Sequence, residues 1–321
     1  HAARPAVFAL RIHRMATLAA GLAAPCSMHI LITGGTGFIG RALCQQLLRA
    51  GHSPCVLTRD PARAAMTLPG VRVIDELVQA GPMDAVVNLA GEPLAEGRWT
   101  ARRKQAFRDS RIGTTQRLLQ WIEAQPVRPR VLVSGSAIGY YGARDDVPVN
   151  EDAPAGHDFA AHLCRDWEAE ALRAQALGVR TCIVRIGIVL GKDGGALAKM
   201  LPPFKLGMGG PMGDGRQWMS WVHRQDLLRL VQWLLEHEQA QGIYNATAPT
   251  PVRNREFAHT LGKVLQRPAL MTTPAFALEF MFGEMATLLL TGQQVQPLRS
   301  QAGGFVFEHG ALEPALRDVL A

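Results

Sequence analysis

The chain has 321 residues, 48% of them apolar and 19% charged, a balance that buries a sizeable core and excludes disordered and collagen-like chains. No apolar run reaches the roughly 18 residues needed to cross a bilayer, so no membrane partner is expected. The net charge of +7 is scattered, and Arg4, Arg11 and Arg14 of it lie in an acid-free leader; this argues against nucleic acid and suits a pocket for an anionic ligand.

Five cysteines, odd in number and without CxxC spacing, read as reduced thiols in a cytoplasmic setting and give no metal site. Residues 1–27 are rich in Ala and Arg. The stretch Met15–Cys26 has the look of a signal core, but the strand Met28–Thr33 follows with no spacer. The leader is therefore read as outside the fold, with an organelle transit peptide as the alternative.

Strand-like runs follow at 28–33, 54–58, 71–74, 84–89, 130–135 and 180–186, with helical patterns between them at Ala42–Arg49 and Thr100–Ala124. This alternation predicts an α/β fold, a Rossmann-type doubly wound parallel sheet over residues 28–190. After Gly191 the texture changes to Gly-, Pro- and Met-rich loops, and residues 191–321 are read as a smaller C-terminal lobe. The two halves interleave, because 221–223 and 242–245 still read as strands that return to the first half.

Thr33-Gly34-Gly35-Thr36-Gly37-Phe38-Ile39-Gly40 lies between a strand and a helix start, where a glycine turn lets backbone amides approach a diphosphate. Gly34, Thr36, Gly37, Phe38 and Ile39 are the expected contacts. The residues after Gly40 are Arg41 and Ala42, which excludes an ATP-type phosphate loop. At the end of the second strand Asp60-Pro61 reads as a helix cap followed by the first helical residue, leaving Arg59 for a 2′-phosphate; NADP(H) is therefore preferred over NAD(H). Leu89, Ala90 and Gly91 end the fourth strand where a cofactor ribose would pass.

These segments, with Ser134-Gly135-Ser136-Ala137-Ile138-Gly139-Tyr140-Tyr141-Gly142, resemble the extended short-chain dehydrogenase/reductases, which include sugar-nucleotide epimerases. The resemblance implies a Ser that orients substrate and a Tyr-x-x-x-Lys pair that moves its proton. Ser136 or Ser134 supplies the first. The pair is missing, since Tyr140, Tyr141 and Tyr244 are followed four residues on by Arg144, Asp145 and Ala248. Alignment on Glu168 puts Ala160 at the Tyr position and Cys164 at the Lys position.

Such departures resemble an atypical, epimerase-like subgroup, similar to proteins described as cell-division inhibitors, with a C-terminal module of its own. Trp221-Val222-His223, Asn245-Ala246-Thr247-Ala248-Pro249 and Ala302-Gly303-Gly304-Phe305 carry the likeness to the end of the chain. The resemblance also implies a cofactor contact at Gly187.

Each remaining candidate has a plain structural reading beside the functional one. Ser136 and Tyr140 are the catalytic candidates, against turn satisfaction and packing. Cys164 shares a helical stripe with Ala160, Trp167, Ala171 and Ala174, which favours an inert buried thiol over a substrate contact. Arg98, Arg111 and Arg216 are candidate anion contacts, against solvated surface, and His223 reads as a turn or pocket-wall residue. Residues 206–215 read as a mobile lid or merely a flexible loop.

The expected function is an NADP(H)-binding oxidoreductase or epimerase acting on a small anionic or sugar-nucleotide-like substrate. The alternative is a non-catalytic NADP(H) sensor acting through a protein partner. A homodimer is left open.

Overall fold

The computed structural model describes residues 27–321; the leader readings and Cys26 lie outside the described residues. The first half runs β1 (His29–Thr33), α1 (Phe38–Arg49), β2 (Ser53–Leu57), α2 (Pro61–Thr67), β3 (Arg72–Ile74), β4 (Ala85–Asn88), α3 (Ala101–Arg108), α4 (Thr114–Glu123), β5 (Val131–Ala137), α5 (Phe159–Leu172) and β6 (Arg180–Ile186). There follow β7 (Ile188–Leu190), α6 (Gly195–Lys205), β8 (Trp218–Met219), β9 (Trp221–His223), α7 (Arg224–Glu236) and β10 (Gly242–Ala246). The chain ends with β11 (Val252–Arg253), α8 (Asn254–Leu265), α9 (Ala275–Phe282), α10 (Thr287–Leu290), α11 (Leu298–Ala302) and α12 (Leu312–Leu320).

Consecutive apolar residues form these strands because both sheet faces are covered. In β1, Ile30 and Ile32 enter one core with Leu43, Leu47, Leu227 and Val231 of α1 and α7. Leu31 enters the other, with Leu118, Ile122 and Ala171 of α4 and α5. The sheet is seven-stranded and parallel, in the order β3-β2-β1-β4-β5-β6-β10. Its winding reverses between β1 and β4, which opens a crevice at their carboxyl ends.

The sequence reading of the two late strands is half corrected. Strand β10 does join the large sheet, against β6, but β9 pairs instead with β7 in a separate two-stranded sheet. The chain leaves the main sheet at Gly187, where a Cβ would come within 2.5 Å of Ser220 O, so β7 and β9 are pressed together beyond it. The helix predicted over 100–124 is also not continuous, because a π-helical segment, Asp109–Gly113, separates α3 from α4. A third core of Leu197, Leu201, Phe204, Trp221, Phe257 and Leu316 unites α6, α8 and α12.

His223 caps α7, its Nδ1 accepting the Gln225 amide at 3.2 Å, and its Nε2 lies 3.1 Å from Asp318 Oδ2 on α12. Its ring stacks on His309 at 3.7 Å, and Asp226 accepts the amides of Glu308 and His309 beneath. Burial, then the neighbouring His309, press the His223 imidazole below its ordinary value of 6.5. The unfolded chain therefore takes up a proton that the folded chain resists, and stability falls as pH drops through 6.5. Urea midpoints measured between pH 8 and 5.5 should decline over that window, and His223→Gln should flatten the decline.

Candidate functional site

The glycine turn occupies the mouth of the crevice. Gly34 has φ +71°, and a Cβ there would lie 2.5 Å from Leu89 O; a Cβ at Gly40 would overlap the Gly34 carbonyl. These contacts bring β1, α1 and the Leu89–Gly91 turn close together. Helix α1 starts without a side-chain cap and without an acid in its first turn, and Thr36 and Gly37 are exposed. Phe38 and Ile39 are its first amides, and the free helix end they form suits a diphosphate.

Asp60 caps α2, its Oδ1 accepting the Arg63 amide at 3.1 Å with Pro61 behind it, as the sequence indicated. The Arg59 side chain is 96% exposed and lies only loosely, at 3.8 Å, against Glu92. It is free to meet an anion at the carboxyl end of β2.

Beyond Gly91 the polar groups turn inward. Ser136 is 3% exposed and donates its hydroxyl to Glu168 Oε1 at 2.6 Å. Glu168 is clamped by Arg185 through Nε and Nη2 at 2.9 and 2.8 Å, with both side chains buried. Burial works against the Arg185 charge, but the two hydrogen bonds to Glu168 outweigh it and hold the guanidinium protonated. Arg185 also donates to the Tyr141 hydroxyl, which donates to Asn245 Oδ1 at 2.6 Å; burial pushes that phenol up to about 12. The Arg185 guanidinium covers the Tyr140 ring at 3.4 Å from its centroid. Tyr140 is half-buried, and among the described residues its hydroxyl has no hydrogen-bond partner.

Ala160 and Cys164 occupy the buried face of α5 beside these groups. Burial pushes the Cys164 thiol up to about 11, with Glu168 adding to the shift. Ser134 is consumed elsewhere, accepting from Asn88 at 3.4 Å in the core. The positions of the expected proton pair thus hold a methyl group and an un-ionised thiol.

The three arginine candidates have separate fates. Arg98 is exposed and donates to the carbonyls of Phe280 and Met281 at the end of α9. Arg111, in the π-helical segment, lies under Gly91 and over the Trp167 ring and donates to Glu92 O at 3.0 Å. Arg216 is exposed and lines a cavity of about 350 Å³ with Arg144, Trp218, Arg253, Asp146 and Asp214. The 206–215 loop is tied down, since Met271 and Thr273 donate to Gly209 O and Pro211 O, and Gly213 to Thr273 O.

Sequence reasoning gave the β7–α6 loop, Gly191–Gly195, no functional role, although its run of glycines was visible. Gly191 and Gly194 lie close against the Phe38 ring, with Arg224 5.0 Å from that ring. Gly187 abuts Ser220 O and Ala246 O, where β6 leaves the sheet.

Among the described residues, His223, His309 and Asp318 bring donor atoms within 4.8 Å of one another. The imidazoles are stacked with planes only 27° apart, so their in-plane lone pairs do not converge on a common ion.

Strand order, glycine turn and carboxyl-end crevice define a dinucleotide-type α/β protein. Residues 30–247 match the NAD dependent epimerase/dehydratase family, and residues 273–319 match a domain of unknown function, DUF1731. The chain belongs to that family, as an atypical short-chain dehydrogenase/reductase. It is 43% identical over 305 residues to the chloroplastic epimerase family protein SDR39U1 homolog of Arabidopsis thaliana, covering 91% of this chain and 87% of that one. It is 39% identical to human epimerase family protein SDR39U1 over 92% of this chain and all of that one. A crystal structure of human SDR39U1 (isoform 2) with NADPH superposes with a TM-score of 0.85 at 38% identity, covering 91% of this chain and 99% of that one. UDP-glucuronic acid 4-epimerase from Bacillus cereus, in complex with UDP-glucuronic acid and NAD, shares the fold at 18% identity and a TM-score of 0.74, covering 91% and 99%.

The buried thiols give a direct check. Desolvation pushes Cys44 up to about 12 and Cys182 up to about 11, and raises Cys55 as well. Alkylation at pH 8 should leave Cys44, Cys55, Cys164 and Cys182 unlabelled by mass spectrometry until the chain is unfolded. Early labelling of Cys164 in the native protein would place it in the open crevice instead.

Proposed function

We propose that this protein binds NADP(H) in the crevice and acts as an oxidoreductase or epimerase-type enzyme on a small anionic or sugar-nucleotide-like substrate. One observation carries the reading: the free start of α1 and the glycine cradle stand beside an exposed, weakly engaged Arg59. The amides of Phe38 and Ile39 would hold the diphosphate and Arg59 the 2′-phosphate, with Leu89, Ala90, Gly91 and Gly187 bordering the rest of the dinucleotide. Bound NADP(H) supplies or accepts the hydride.

The substrate end of the reading rests on the exposed Arg216 in the cavity it lines with Arg144, Trp218 and Arg253; there Arg253 stacks on Trp218 and pairs with Asp146, and Arg144 donates to the Tyr141 and Pro154 carbonyls, so Arg216 is the cation offered to an anion. Ser136 has its proton committed to Glu168 and can offer a ligand only a lone pair. The proton that accompanies hydride transfer is assigned to the unpartnered hydroxyl of Tyr140. A second reading, a non-catalytic NADP(H) sensor, is favoured by Ala160 and Cys164 standing where a proton pair would act.

Fluorescence titration should show tighter binding of NADPH than of NADH. Arg59→Ala should weaken NADPH by about tenfold, the loss of one exposed charge-assisted contact, and leave NADH unchanged. Equal affinities that ignore Arg59 would refute the NADP(H) assignment. In a screen of carbonyl compounds and sugar nucleotides followed at the NADPH absorbance, turnover that falls in Tyr140→Phe supports the enzyme. Tight NADPH binding without turnover supports the sensor.

A further inference from the structure

The loop Gly191–Gly195 crosses the side chain of the first residue of the phosphate-binding helix. A Cβ at Gly191 would lie 2.5 Å from Phe38 Cζ, so this stretch admits no side chain at that crossing. Gly194 meets the same ring at Cδ2 and Cγ, and Gly195, which faces its other edge, takes φ +67° to turn the chain into α6. Between these glycines stand Lys192 and Asp193, both exposed. Arg224, the first residue of α7, reaches over the Phe38 ring at 5.0 Å and pairs with Asp193 at 2.6 Å. Its side chain is 27% exposed, and that of Asp193 51%. Lys192 has no ion-pair partner among the described residues.

The charges fit an anion that arrives later. The start of α1 carries no acid, so a diphosphate held there would be met by backbone amides alone. Arg224 beside the Phe38 ring, and Lys192 on the loop that crosses that ring, would add charge-assisted contacts from the opposite wall. Asp193 is the acid that shares this wall, and its pairing with Arg224 is partly exposed, so it is weak enough to be exchanged for a better anion.

We propose that the β7–α6 loop is a second wall of the diphosphate site, in which Lys192 and Arg224 clamp the dinucleotide and Asp193 holds Arg224 until the ligand displaces it. This inference rests on the reading of the crevice as an NADP(H) site. The glycines at 191 and 194 are the structural requirement, because they let the loop lie against Phe38 and bring Lys192 and Asp193 to the helix start.

The test compares NADPH with adenosine 2′-monophosphate, which carries the Arg59 ligand but lacks the diphosphate. In titrations of the whole chain, Lys192→Gln and Arg224→Gln should each weaken NADPH by about tenfold while leaving adenosine 2′-monophosphate at its wild-type affinity. Asp193→Asn should tighten NADPH by removing the competitor. Unchanged NADPH binding in Arg224→Gln would overturn the clamp, as would an equal loss of both ligands in Arg224→Gln and Arg224→Lys, which would assign Arg224 to holding Phe38 in place. Wild-type protein that binds neither ligand would instead overturn the NADP(H) reading itself.

Discussion

The interior of this protein is organised around one buried charge. Arg185, 1% exposed on β6, needs partners for its guanidinium protons, and Glu168, Tyr141 and the Glu151 carbonyl accept four of the five. Those partners come from α5, from the short helix after β5 and from the loop behind it, so a single requirement sets the spacing of all of them against the sheet. Removing one member of a buried ion pair strands the other at a cost of about 3–5 kcal/mol, which makes this cluster far less tolerant of change than the surface pairs. It also decides what the crevice lacks: the hydroxyl of Ser136 is drawn into the same cluster and away from the opening.

The face of α5 beside this cluster is correspondingly without a titratable pair. A typical extended short-chain dehydrogenase/reductase relies on a phenol whose pKa is lowered by an adjacent ammonium; here α5 presents Ala160 and a buried thiol. Any chemistry must therefore be carried by a group outside that helix. The cofactor half shows no such loss, because backbone amides and glycine contacts do the work there and do not depend on which side chains α5 presents.

Much of the fold was legible in the residues. The alternation of apolar runs with helical patterns gave the parallel sheet, and Asp60-Pro61 gave its helix cap, because both signals are local. Trp221–His223 misled, since its apolar character says that it is a buried strand and says nothing about which sheet receives it. That choice depends on the close approach at Gly187 and Ser220, a contact between segments over 30 residues apart. The partners of Arg98 were hidden for a similar reason: they are backbone carbonyls at the end of α9, and a carbonyl leaves no mark in a sequence. The burial of Cys164 was visible as a helical stripe, whereas the inward turn of Ser136 was hidden until Glu168 and Arg185 were brought together.

The seating of β10 beside β6 bears on how this chain can be divided. A fragment cut after residue 190 would expose β6 as a bare edge, strip Tyr141 of Asn245 and remove α7 from the core that also covers α1. The cofactor-facing segment is thus no autonomous module, and the last third of the polypeptide acts as a scaffold for it.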